Sequence, residues 1–134
     1  MTAAAIAVVP EVREFLKQAQ QELGKRFSLV AEGRDMGTVV FPKAACKIFL
    51  DASPEVRALR RFRQLEELGS PTDLVVLTRQ IQERDDQDRN RAIAPLVPAD
   101  DAMRIDTSSL TIDDVFVAIV HEAERRKESR GILL

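Results

Sequence analysis

The stretch CKIFLDASPE at residues 46–55 restricts the fold more than any other part of the chain. Its first half, Cys46-Lys47-Ile48-Phe49-Leu50-Asp51, is an apolar run of strand length. Two residues later Ser53 offers a side-chain oxygen to cap a helix. Pro54 suits the first helical position, and Glu55 puts a carboxylate in the first turn, where the helix dipole favours it. A strand that passes at once into a helix begins a crossover, and helical crossovers join parallel strands. The pattern recurs further on: residues 102–106 read as a strand, and Thr111-Ile112-Asp113-Asp114 resembles a capping box opening the last helix. Residues 28–32 read as another short buried strand. The expected class is α/β, with about three short parallel strands and flanking helices, built as one domain without repeats.

The remaining segments fill in the helices. Pro10 opens a helix over residues 10–23, with Val12, Phe15, Leu16, Ala19 and Leu23 on one face and Gly24 as its stop. The alanine-rich stretch before Pro10 reads as a further short helix. The helix capped by Ser53 should run to about Leu68 and stop at Gly69. After the turn Ser70-Pro71-Thr72, Thr72 is placed to cap a helix whose narrow apolar stripe is Leu74, Leu77 and Ile81. The charged segment ERDDQDRNR at residues 83–91 continues that helix and offers no apolar face. Residues 92–101, with Pro95 and Pro98, read as loop. Val115, Phe116, Ile119, Val120 and Ala123 form the expected buried face of the last helix, and the charged tail after Arg125 is expected to fray.

Composition removes several classes of function. The chain has 134 residues with 20 basic and 22 acidic side chains, a net charge of −2. Dedicated nucleic-acid binders carry a basic excess, and single-strand binders stack bases on aromatics; this chain lacks Trp and Tyr. The N-terminal apolar run has no basic flank and is too short to span a bilayer, so the expected setting is the cytoplasm with no membrane contact. The single cysteine, Cys46, cannot form a disulfide within the chain and reads as a small buried strand residue. His121 reads as a surface histidine. No His/Cys/carboxylate cluster has metal-site spacing, so no metal ligand is assigned.

The chemistry that remains is anion binding by arginine. Ligands of open parallel sheets bind beyond the carboxyl ends of the strands, where Gly33-Arg34-Asp35 is expected to lie. Arg34 can hold a phosphate through two parallel hydrogen bonds, and Asp35 can accept from a base amine. An ordinary strand-end turn with an Arg34–Asp35 ion pair is an equal reading. In ERDDQDRNR, Arg84 and Asp88 stand four apart, as do Asp85 and Arg89; such pairs support an exposed helix by roughly 0.2–0.5 kcal/mol each. Charge pattern by itself favours that solvated helix. The other reading notes that Arg84, Asp88 and Arg91 fall at i, i+4 and i+7, and so on one face, suited to closing over a phosphate and a ribose. Arg60 and Arg61, with Arg57 and Arg63 nearby, face a triphosphate or face solvent; spacing leaves both open.

Three segments taken together, in order and spacing, carry a resemblance: GRDMGTVVFP at 33–42, KIFLDASPEVRALRR at 47–61 and ERDDQDRNRAIAPL at 83–96. From about Ala3 to the last helix the chain closely resembles bacterial cytidylate kinase, the (d)CMP kinase family. The resemblance implies transfer of the γ-phosphoryl group of ATP to CMP or dCMP with Mg²⁺. It implies that Arg13 and Asp35 recognise the cytosine ring. Arg34 and Arg91 would hold the CMP phosphate and act catalytically, Arg91 also neutralising charge on the transferring group. Arg84 and Asp88 would meet ribose and phosphate from a lid at about residues 72–96. Arg60 and Arg61 would lie near the triphosphate or the lid hinge.

Two departures accompany the resemblance. Ala4 stands where the family commonly has a serine that touches cytosine. The family's P-loop, G-x-x-x-x-G-K-[ST], occurs nowhere in the 134 residues, and the CMP-binding insert is missing as well. The chain therefore reads as the C-terminal part of a cytidylate kinase domain, with no recognisable motif of its own for Mg²⁺–ATP. By itself it is expected to be inactive, and sheet edges left open invite a homo-oligomer. The alternative is a non-catalytic regulatory or interaction domain derived from a nucleotide kinase.

Overall fold

The computed structural model describes residues 3–6, 8–92 and 95–129, apart from the side chains of residues 3, 4 and 129. The expectation for the Ala4 side chain thus lies outside the described residues. The elements in chain order are α1 (Ala3–Ile6), α2 (Pro10–Arg26), a π-helical turn (Met36–Val40), β1 (Ile48–Asp51), α3 (Pro54–Glu67), α4 (Leu74–Asn90), β2 (Met103–Asp106) and α5 (Ile112–Ser129).

The strand-to-helix junctions form as their residues dictate. Ser53 Oγ accepts a hydrogen bond from the Val56 amide at 3.2 Å, with Pro54 at the first helical position. At the far end of α3, Gly69 takes φ +73°, and the Ser70 amide reaches back to the Leu65 carbonyl at 2.9 Å. That left-handed residue is open to glycine without the Cβ penalty, so the helix stops there. The last helix opens on a closed box: the Asp114 amide donates to Thr111 Oγ1 at 3.1 Å, and the Thr111 amide to Asp114 Oδ2 at 3.0 Å. β1 and β2 pair in parallel, Ile48 opposite Met103 through Asp51 opposite Asp106, and α3 with α4 make the crossover. The α/β class with parallel strands is therefore as expected.

The number of strands is not. Residues 28–32 are exposed, Val30 completely so, and form no strand. A strand exists by virtue of its ladder, and among the described residues no neighbouring strand lies beside this segment; the sheet has two strands. Gly24 does not stop α2, which runs on to Arg26 with Lys25 and Arg26 at its dipole-favoured end. Gly24 instead makes room for a ring: a Cβ there would come within 2.7 Å of Phe41 Cε1. Asp73, not Thr72, caps α4, its carboxylate accepting from the Val76 amide at 3.0 Å. α5 remains helical to Ser129 rather than fraying after Arg125.

The expected apolar faces of α2 and α5 are largely open. Phe15 is 71% exposed and Phe116 65%; Leu16, Leu23, Val120 and Ala123 are exposed too, while Val12, Val115 and Ile119 are half-buried. The buried apolar residues lie elsewhere, at Val40 in the π-helical turn, Ala52 just after β1, Ala58 on α3, Leu77 on α4 and Ile105 on β2. Cys46 is half-buried and sits ahead of β1 rather than on it.

Candidate functional site

The π-helical turn places Asp35. Its carbonyl accepts from the amides of Val39 and Val40, at 2.9 and 3.2 Å, and its side chain is buried. Arg13, on α2, donates from Nη2 to Asp35 Oδ2. The pair forms part of the wall of an apolar groove of about 580 Å³, together with Pro10, Val12, Leu16 and Met36. The Arg34–Asp35 ion pair, one reading of the Gly33 turn, does not form. Arg34 turns the other way, and its Nε donates to Asp88 Oδ2 on α4.

Asp88 is the centre of the second half of the site. It is 2% exposed, on a segment whose composition suggested a solvated surface. Arg84 Nε donates to both its oxygens, at 3.2 and 3.1 Å, and Arg91 Nη1 to Oδ1 at 3.4 Å. The Arg84–Asp88 spacing of four therefore acts as expected. The i+7 spacing of Arg91 does not, because α4 ends at Asn90 and Arg91 has extended backbone, φ −67° and ψ 143°. Arg91 reaches Asp88 from beyond the helix end, while the Leu96 amide donates to the Asp88 carbonyl at 2.7 Å. Burial, then the charge of Arg13, pushes the Arg91 guanidinium below its ordinary pKa; Asp88 and Asp35 oppose that shift, and Arg34 adds to it. Arg91 thus stands electrically between the two halves. Four guanidinium groups, of Arg13, Arg34, Arg84 and Arg91, face two carboxylates. The excess is positive and partly shielded from water, which suits a dianionic ligand.

The other arginines named from sequence lie apart from this cluster. Arg60 donates from Nη1 to Thr107 Oγ1 at 3.0 Å and from Nη2 to the Thr107 carbonyl. Thr107 Oγ1 in turn donates to the Asp51 carbonyl at 2.9 Å, so Arg60 ties the ends of β1 and β2 together. Arg61 lies on the exposed side of α3, bonded to Gln64 at 2.7 Å. The expected Asp85–Arg89 pair is replaced: Asp85 is buried and paired with Arg57 of α3. Sequence spacing carried no signal for that contact, because the partners stand 28 residues apart.

Other reactive groups are quiet. Burial and the nearby Glu122 carboxylate push the Cys46 thiol up, which disfavours its thiolate. Hydrogen bonds from Arg125 and Arg126 hold Glu122 down at about 2; these two side chains cover it in the second half of α5. His121 is exposed. Among the described residues no cluster of His, Cys, Asp or Glu is arranged to hold a metal ion, and no helix is long and apolar enough to cross a membrane.

A parallel strand pair joined by a helical crossover, with a charged helix paired to an arginine of the loop before the π-helical turn, defines a portion of the nucleoside-monophosphate-kinase class of α/β folds. The chain belongs to the cytidylate kinase family, whose sequence profile matches residues 1–125. It is 54% identical over 126 residues to a cytidylate kinase of Maridesulfovibrio salexigens, covering 94% of this chain and 56% of that protein. Identity to the cytidylate kinase of Oleidesulfovibrio alaskensis is 58% over 120 residues, covering 90% and 55%. For Vibrio cholerae it is 56% over 115 residues, covering 86% and 51%. The chain spans about half the length of the curated relatives it matches.

Proposed function

We propose that this chain carries the acceptor side of an enzyme that transfers the γ-phosphoryl group of ATP to CMP or dCMP. The observation that carries the proposal is Asp88, buried beneath Arg34, Arg84 and Arg91, next to the Arg13–Asp35 pair on the wall of an apolar groove. In this reading the cytosine ring enters the groove, its amine donating to Asp35 and its carbonyl accepting from Arg13. The nucleotide phosphate joins Arg34 and Arg91, and Arg84 and Asp88 turn toward the ribose and phosphate. Phosphoryl transfer needs little covalent help from protein; it needs an in-line nucleophile and cations where charge develops. Arg91, held among other cations at the lid end, is the group assigned to neutralise the transferring phosphoryl.

The donor side is different. The 134 residues contain no G-x-x-x-x-G-K-[ST] loop to cradle the ATP phosphates. Mg²⁺ accompanies ATP in this chemistry, yet the described residues provide no ligand cluster that fits it. The two arginines proposed for the donor side or lid, Arg60 and Arg61, are engaged with Thr107 and Gln64. The 134-residue chain by itself should accordingly bind CMP but turn over negligibly. Titration calorimetry should show one CMP site, weakened by phosphate and absent for cytidine at the same concentration. No uptake of CMP would overturn the acceptor reading. Brisk ADP release with ATP, Mg²⁺ and CMP would overturn the claim about the donor side.

A second reading, a non-catalytic interaction domain descended from such a kinase, is favoured by the open apolar faces of α2 and α5. Self-association into a homo-oligomer, through these faces as well as through the open sheet edges expected from sequence, is the proposed form. The single cysteine, without a partner in the chain for a disulfide, supports a cytoplasmic setting.

A further inference from the structure

The buried residues of α4 are Leu77, Asp85 and Asp88. The two carboxylates draw their partners from different parts of the fold. Asp88 takes Arg34, Arg84 and Arg91, the arginines of the acceptor site. Asp85 takes Arg57, from the first turns of α3. Arg57 Nη1 donates to Asp85 Oδ1 at 2.8 Å, and Nη2 donates to Oδ2. Its Nε donates to the carbonyl of Ala52 at 3.0 Å, at the buried residue that follows β1. One guanidinium thus uses all three nitrogens to bridge the end of a strand and the middle of the lid helix.

The geometry of a helix turns this contact into a constraint on Asp88. Residues three apart lie within about 60° of each other around the axis and about 4.5 Å apart along it. A roll of α4 that lifts Asp85 off Arg57 carries Asp88 away from its arginines by the same angle. A planar fork that meets both carboxylate oxygens resists that roll, whereas a point charge on a flexible stem does not. We propose that Arg57 is a positioning residue of the acceptor site: by clamping Asp85 to the end of β1, it sets the rotation of the lid helix that holds Asp88 under Arg34, Arg84 and Arg91. The assignment of a binding purpose to that rotation rests on the acceptor-site reading above; the clamp itself rests on the contacts. The other arginines of α3 do not duplicate it, since Arg60 is bonded to Thr107, Arg61 to Gln64, and Arg63 is exposed.

The test uses the 134-residue chain with two readouts, CMP affinity by calorimetry and amide hydrogen exchange across residues 83–90. The variants are Arg57→Lys, Arg57→Met, Asp85→Asn, the double variant Arg57→Met with Asp85→Asn, and Arg63→Met as a control on the same helix. Arg57→Lys keeps the charge and loses the fork. It should weaken CMP binding about tenfold and lower exchange protection at 83–90, with the thermal midpoint close to that of the parent. Arg57→Met and Asp85→Asn should each do at least as much, and the double variant should be no weaker than the worse single one. Arg63→Met should change neither readout. Parent-like affinity and protection in Arg57→Lys, or additive losses in the double variant, would overturn the proposal. Should the parent chain take up no CMP, the acceptor-site reading fails, and the exchange readout still decides the clamp: protection lost with Arg57 upholds it, protection retained overturns it.

Discussion

The second half of α4 and the length of α5 behave in opposite ways. ERDDQDRNR contains no apolar side chain, yet Asp85 and Asp88 are among the best covered residues of the chain. α5 carries Val115, Phe116, Ile119 and Val120 at helical spacing, yet its most deeply covered residue is Glu122 and Phe116 stands open. Burial here follows the partners a segment meets rather than its own hydropathy. Asp85 and Asp88 meet arginines sent from α3, from the loop before the π-helical turn and from beyond the helix end. The apolar faces of α2 and α5 meet no comparable surface among the described residues. The carboxylates remain buried because each is fully bonded; a buried charge without such partners would cost several kcal/mol.

The contrast can be broken most forcefully at Asp88. Asp88→Ala leaves three arginines converging on an empty point, and urea unfolding should show a loss of about 3 kcal/mol. The value falls at the low end for a buried pair because Arg34 and Arg84 keep partial access to water. A loss below about 1 kcal/mol would mean that the cluster is not what holds the end of α4. Next comes the apolar part of the α3–α4 crossover. Ala58 is 0% exposed, so Ala58→Leu should destabilise by about 2 kcal/mol through overpacking, read from the same unfolding curves.

Acid sharpens the comparison between the two helices. Hydrogen bonds from Arg57 hold Asp85 below its ordinary 3.8, and those from Arg125 and Arg126 hold Glu122 at about 2, down from 4.5. A depressed carboxyl pKa contributes stability that is complete above the ordinary value and is lost as pH falls through the folded one. Amide protection around Glu122 should therefore survive at pH 4 and fall toward pH 2. Its loss centred at 4.5 would show that the two arginines do not hold Glu122. The smallest effect on stability is expected at Phe116: Phe116→Gln should shift it by no more than about 0.5 kcal/mol, since the ring is already open. The same variant should lower concentration-dependent mass in sedimentation; an unchanged mass would remove the α5 face as a self-association surface.

Local rules were legible at most junctions between sequence neighbours, the cap of α4 at Asp73 instead of Thr72 being an exception. Ser53-Pro54-Glu55 opens α3, Gly69 closes it, and Thr111 with Asp114 closes the box on α5. Each of those decisions is taken within one helical turn. Where the expectation needed a distant partner it often failed. Residues 28–32 have strand composition but no ladder, and Gly24 turned out to answer to the Phe41 ring rather than to the end of its helix. In the candidate site, the resemblance carried by residues 33–42 and 83–96 named Arg13, Arg34, Asp35, Arg84, Asp88 and Arg91, and the fold brings all six side chains into one pair of linked ion clusters. Arg60 and Arg61 take different partners, because adjacent helix residues point about 100° apart, one toward Thr107 and the other toward Gln64.

The sequence by itself determined the strand-to-helix junctions and the helical state of residues 83–90, because capping and charge spacing act over a few residues. Only the tertiary structure decided that this charged segment is buried and that Asp85 answers to Arg57 while Asp88 answers to Arg34. Those pairs are 28 and 54 residues apart, and their formation depends on which backbone turns bring the guanidinium groups within a hydrogen bond of the carboxylates.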